Sequence, residues 1–114
     1  MPFKVLYKSR AGNLYSALLG TKCGVKYVPG VWRRRLKLKG KMHPDYGPFA
    51  VFGTIWQARS FARDRIGCSI WRCEIKESRA KHIWNRKWSK CRWEVGSLPF
   101  GTILADEVMI TEEV

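Results

Sequence analysis

Basic residues interleaved with tryptophan are the side chains of this sequence best suited to recognition chemistry. Between Arg72 and Arg92 lie eight Lys or Arg and only two Glu, with Trp84 and Trp88 among them and Trp93 just beyond. Lysine and arginine neutralise phosphates, and an indole face stacks on a nucleobase, which is worth ~1–3 kcal/mol per base. Arg86 and Lys87 beside Trp84 and Trp88 therefore fit a nucleic-acid surface, the cations on phosphates and the indoles on bases. The same mixture suits a single nucleotide in a pocket, with arginine forks on its phosphate. Any one tryptophan is more often a core residue, but six in 114 residues are too many for all to be interior.

A second constellation is Arg33-Arg34-Arg35, followed by Lys37, Lys39 and Lys41. Read as a strand, Val31–Lys41 puts Leu36 and Leu38 on one face and Arg35, Lys37 and Lys39 on the other. Same-face residues are ~6.6 Å apart, so this is a ladder of positive charge. A charge run is ordinarily a solvated face, and lysines on an edge strand also block edge-to-edge pairing. That explains the lysines and leaves three successive arginines, which point to contact with backbone phosphates.

Other chemistry is poorly served. Cys68, Cys73, His82 and Cys91 are the residues that could ligate zinc, but their spacing is loose and no second tight pair follows. His43 and His82 have no nucleophile-and-acid partners in a familiar arrangement, and no glycine-rich loop precedes the helix. A metal-dependent nuclease needs clustered acids, whereas Asp45, Asp64, Glu74, Glu77 and Glu94 are scattered and Glu112-Glu113 reads as a solvated end. The expectation is no metal, no cofactor and no catalytic residue.

The composition agrees with a partner of opposite charge. The chain carries 22 Lys and Arg against 9 Asp and Glu, a net +13. Residues 1–94 hold all 22 bases and 5 of the acids, a balance of +17, while Asp106, Glu107, Glu112 and Glu113 lie in the last twelve residues. Such self-repulsion disfavours a compact state unless a counter-charge helps, and cationic surfaces bring nucleic-acid binding with them. The 46% hydrophobic content argues against disorder. No apolar run approaches the ~20 residues of a membrane span, and the first residues are too soon interrupted by charge for a signal peptide. The four cysteines then read as reduced thiols of a cytoplasmic protein.

These residues need a scaffold, and 114 residues suffice for one domain. Phe3–Lys8 alternates as a strand, Ala11-Gly12-Asn13 turns, and Leu14–Leu19 returns as the second arm of a hairpin. Val25–Val28 is a short extended piece and Gly40–Gly47 a loop. Thr54 and Gln57 form a capping box for a helix over about 54–66, whose apolar stripe is Ile55, Ala58, Phe61, Ala62 and, at its margin, Ile66. Gly67 stops it. Ser69–Lys76 is a strand with Trp71, Cys73 and Ile75 inward, and Ser78–Val95 fits helix and extended structure almost equally. Gly101–Val114 is a strand with Ile103, Ala105, Val108 and Ile110 in the core; the step of three from Ala105 to Val108 calls for a bulge or a break near Asp106. The fold class is α+β: a largely antiparallel sheet with one main helix in a single domain.

From Phe49-Ala50-Val51-Phe52 onward, through Ala58-Arg59-Ser60-Phe61-Ala62, Ile70–Ile75 and Gly101–Asp106, the order of elements resembles the NAD-binding half of small ADP-ribosyltransferase-like domains. The resemblance covers about half the chain. It implies a Ser-Thr-Ser position near Phe52-Gly53-Thr54, which has only the Thr, a catalytic Glu at Glu107 or Glu112, and Arg10 in place of the early arginine. None of these stands in a matching motif, so the likeness bears on architecture. The small size and lack of catalytic motifs also resemble the compact accessory proteins of phages, host-defence inhibitors included, which would act in the host cytoplasm. The sequence reads as a non-enzymatic module for nucleic acid, RNA or single strands before duplex. The alternatives are a sponge for a nucleotide or cyclic-nucleotide signal, and an inhibitor docking on an acidic protein or nucleoprotein. An ADP-ribosyltransferase-like enzyme comes last.

Overall fold

The computed structural model describes residues 1–17, 26–35, 48–80, 82–84, 92–94 and 98–114, and of 82–84 and 92–94 the backbone. Two strands organise it. β1 (Phe3–Lys8) carries β6 (Cys68–Glu77) on one edge, and β5 (Phe49–Phe52) and then β2 (Leu14–Ser16) on the other. β9 (Thr102–Glu113) carries β6 on one edge, and β5 and then β4 (Arg33–Arg34) on the other. The circuit β1-β6-β9-β5 returns to β1 through the pair Phe3↔Phe52, so the antiparallel sheet closes like a barrel. β3 (Lys26–Tyr27) extends it beyond β2, and β7 (His82–Trp84) pairs with β8 (Arg92–Glu94) as a separate ribbon. For the described residues of 78–95 the choice thus falls on extended structure. Among the described residues there is one helix, α1 (Ile55–Ala62), so the α+β expectation holds loosely in a molecule that is mostly β.

Period-2 alternation sorts β1 between two apolar layers. Leu6 joins Leu14, Tyr27, Phe49, Val51, Cys73, Ala105, Val108 and Ile110 inside the closed sheet, with Trp71, Ile75 and Ile103 packed against them. Phe3 and Val5 face the other way, onto Phe52, Ala58 and Phe61 beneath the helix. The Phe52 and Phe61 rings lie 5.2 Å apart, and such a pair is worth ~0.5–1.5 kcal/mol beyond its area. The capping box is present: Gln57 N–H donates to Thr54 Oγ1 at 3.3 Å and Thr54 N–H to Gln57 Oε1 at 3.2 Å. The helix ends at Ala62 rather than at about 66, and Ile66, placed at the margin of the stripe, is instead 97% exposed in the turn that follows.

β9 bulges where expected. Lys76 faces Glu107 while Glu77 faces Ala105, so Asp106 has no counterpart on β6. That extra residue restores the inward facing of both Ala105 and Val108, which are fully buried. Leu104 is buried too, against expectation. A second irregularity skips Thr111, whose hydroxyl donates to Arg72 C=O at 3.1 Å.

Lys4 shares the inward face of Leu6. It is only 2% exposed; its ammonium donates to Ala50 C=O and lies 5.3 Å from the Tyr27 ring centroid. Burial lowers its pKa to about 8, and the Cys73 thiol opposes that shift. Cys73 is itself pushed up to about 11, by burial first. Cys68 is half-buried and shifts upward for the same reason.

Candidate nucleic-acid interface

The arginine triple is divided by the sheet. Arg33 stands opposite Val108 and Arg34 opposite Glu107, so alternation sends their side chains to opposite faces. Arg34 Nε lies 3.0 Å from Glu107 Oε1, and Lys76 Nζ reaches the other oxygen of the same carboxylate at 3.1 Å. Hydrogen bonds from Arg34 and then Lys76 hold the Glu107 pKa below its usual range. Arg35 pairs with Asp106 at 3.2 Å, and its backbone N–H donates to Asp106 C=O at 3.0 Å. Further along β9, Arg72 and Glu112 are 2.8 Å apart. Trp32 stands at the edge of this face with Lys76 Nζ 5.6 Å from its ring centroid. The acids of the C-terminal strand thus neutralise bases that arrive from β4 and β6.

Glu107 and Glu112, the two positions that the transferase resemblance offers for catalysis, are engaged in these pairs. Lys37, Lys39, Arg86, Lys87 and Trp88 lie outside the described residues, as does the side chain of Trp84 in β7. Among the described residues no group of three His, Cys, Asp or Glu is placed to hold a metal ion.

The helix presents a different surface. Trp56, Arg59, Ser60 and Arg63 recur at helical spacing on the exposed side of α1 and its C-cap, opposite buried Ala58 and Phe61. The Arg59 guanidinium sits 5.4 Å from the Trp56 ring centroid. Arg65 packs on Phe61 at 3.9 Å and donates to its carbonyl at 2.8 Å. Neither Arg59 nor Arg63 forms an ion pair with an acid among the described residues. Beside this face runs a groove of about 380 Å³ lined by Trp56, Gln57, Ser60, Phe61, Pro99 and Phe100. Trp56 is 73% exposed and Phe100 89%.

The far wall of the groove is fixed by a tight turn. Thr102 donates to Pro99 C=O through both its N–H, at 3.1 Å, and its hydroxyl, and Gly53 N–H donates to Gly101 C=O at 3.3 Å. Gly101 has φ +84°, and a Cβ there would land on the Gln57 side-chain amide. Only glycine lets the turn lie this close to the capping residue, and the closeness sets Phe100 beside the helix.

Sequence reasoning passed over this groove. The signal was a tryptophan off the apolar stripe of a helix among arginines, and an aromatic between Pro99 and Gly101. Among the described residues, Trp32 and Trp56 are exposed, while Trp71 packs on the core and donates its indole N–H to Ser69 Oγ at 2.9 Å. Among the described residues no helix is long and apolar enough to cross a membrane. No protein-family model, curated protein or solved structure matches the chain.

Proposed function

We propose that this chain is a non-enzymatic binding module for a polyanion, namely nucleic acid, with RNA or single strands preferred to duplex, acting in the cytoplasm. The observation that carries this reading is the division of charge. Asp106, Glu107 and Glu112 are spent on Arg34, Arg35, Arg72 and Lys76, yet the whole chain keeps a surplus of 13 positive charges. A phosphate backbone supplies the missing counter-charge, and the counterions released from it drive binding. Arg59 and Arg63 take a phosphate without surrendering a carboxylate. Arg34 and Arg35 make such contacts only in exchange for Glu107 and Asp106; Arg33, Lys37, Lys39, Arg86 and Lys87 are the remaining candidates, with Trp84 and Trp88 for stacking.

Fluorescence anisotropy of a labelled single-stranded 20-mer, titrated with the protein at two salt concentrations, tests the reading. Binding should be measurable at low salt and fall steeply as salt is added; no binding at low salt would contradict it. The size of the groove favours a second reading, uptake of one nucleotide or cyclic nucleotide, since ligand pockets begin at ~300 Å³. It would appear as tight, saturable quenching by a mononucleotide with no dependence on oligonucleotide length.

A further inference from the structure

We infer that the groove between α1 and the Pro99–Gly101 turn is a stacking site for an unpaired base, with Trp56 and Phe100 as its aromatic faces and Arg59 and Arg63 as its phosphate contacts. The inference rests on the proposed nucleic-acid function and assigns the element of the ligand that the chain selects.

Three observations converge. Two large aromatic side chains line the same groove and are mostly exposed, where solitary exposed apolar residues would call for no explanation. The backbone that carries them is held in place: the capping box fixes the first turn of the helix, and Gly101 brings the turn onto Gln57. A preformed wall loses little freedom on binding. Two cations stand beside the indole: Arg59 packs on it, and Arg63, with Asp64 next to it, follows one turn later. A base flanked by its phosphates matches that pairing of aromatic and cation, whereas an apolar partner would leave the arginines unused.

The site also discriminates. In a duplex each base is stacked between its neighbours and shows only its edges, so an indole can take a base face only from a strand that is single or locally unstacked. Base-independent stacking also predicts weak sequence preference.

The test uses three fluorescein-labelled 12-mers: a single-stranded oligouridylate, a duplex of equal length, and an abasic chain with the same number of phosphates. For the wild-type protein the oligouridylate should bind more tightly than the abasic chain. Trp56→Ala and Phe100→Ala should each lower affinity for the oligouridylate by about 5- to 100-fold. Both should leave the abasic chain and the duplex within twofold, and the salt slope unchanged. Trp56→Phe should restore most of the loss, and because both residues are exposed, unchanged circular dichroism should accompany every variant. If the wild-type protein binds all three probes and the alanine variants leave oligouridylate affinity within twofold, or weaken the three probes equally, the stacking site is refuted while the polyanion module stands. That outcome would assign the aromatic pair to another partner, such as a protein. If the wild-type protein binds none of the three at low salt, both conclusions fall together.

Discussion

Two basic surfaces of this molecule differ in what stands beside their cations. Around the β4, β6 and β9 strands, Arg34, Arg35, Arg72 and Lys76 each have a carboxylate about 3 Å away. On the α1 face, Arg59 lies against an indole, and neither it nor Arg63 meets an acid among the described residues. Both surfaces look alike in composition. In the first, positive charge is balanced within the chain and helps hold three strands together; in the second it is left for something else. A net charge therefore says that a counter-charge is wanted, and the location of the acids says where.

The contrast can be broken most severely at the aromatic pair. Removing Trp56 and Phe100 together should weaken single-strand binding by more than tenfold, at ~1–3 kcal/mol per stacked ring, with the melting temperature almost unchanged. Calorimetry alongside the anisotropy titration checks both halves of that statement.

Lys4 is a third kind of cation, buried and with no acid partner among the described residues, and its effect falls on stability. Its pKa is about 8 folded against 10.5 unfolded, so between those values the unfolded chain binds more protons and stability rises with pH. Cys73, at about 11 against 9.0, has the opposite sign from 9 to 11, which leaves pH 8–9 as the window where Lys4 acts alone of the two. Lys4→Met should stabilise the protein at pH 7 by on the order of 1–3 kcal/mol, the loss of the Ala50 hydrogen bond offsetting part of the gain, and should abolish the rise between pH 8 and 9. Urea denaturation as a function of pH measures it. An unchanged rise in the variant would show that another group titrates.

Gly101→Ala should cost about 1–3 kcal/mol, because alanine at that φ is strained and its methyl collides with Gln57. The displaced turn should also reduce single-strand affinity, to an extent that the same two measurements report. The smallest effect belongs to the paired face. Glu107→Gln frees Arg34 and Lys76 and should raise polyanion affinity a few-fold, making the β4 edge behave more like the helix. A decrease would mean that the carboxylate positions those cations for the ligand.

Much of the scaffold was legible because its signals are local. The Phe3–Lys8 strand, the Thr54–Gln57 capping box, the buried Cys73 and the bulge at Asp106 each follow from alternation, capping chemistry or a three-residue step within a few positions. Closure of the sheet was not legible, since it depends on one pair, Phe3↔Phe52, between strands far apart in sequence. Alternation did place Lys4 with Leu6, but lysine is so seldom buried that the pattern invites no such reading. The arginine triple promised a row of phosphate contacts. Its pairing with acids some seventy residues later is a tertiary fact that no window contains: Arg34 and Glu107 are 73 positions apart. The groove was hidden in the same way, its two walls being a helix and a turn that meet only in the fold.

The difference between the two faces is tested most directly by the slope of log affinity against log salt for a single-stranded oligonucleotide. Removing one cation that neutralises a phosphate should reduce that slope by about 0.7. If the central claim holds, Arg59→Gln with Arg63→Gln lowers the slope by about 1.4, while Arg72→Gln with Lys76→Gln leaves it unchanged. The reverse pattern, or an equal reduction in both pairs, would contradict the assignment of binding to the helix face.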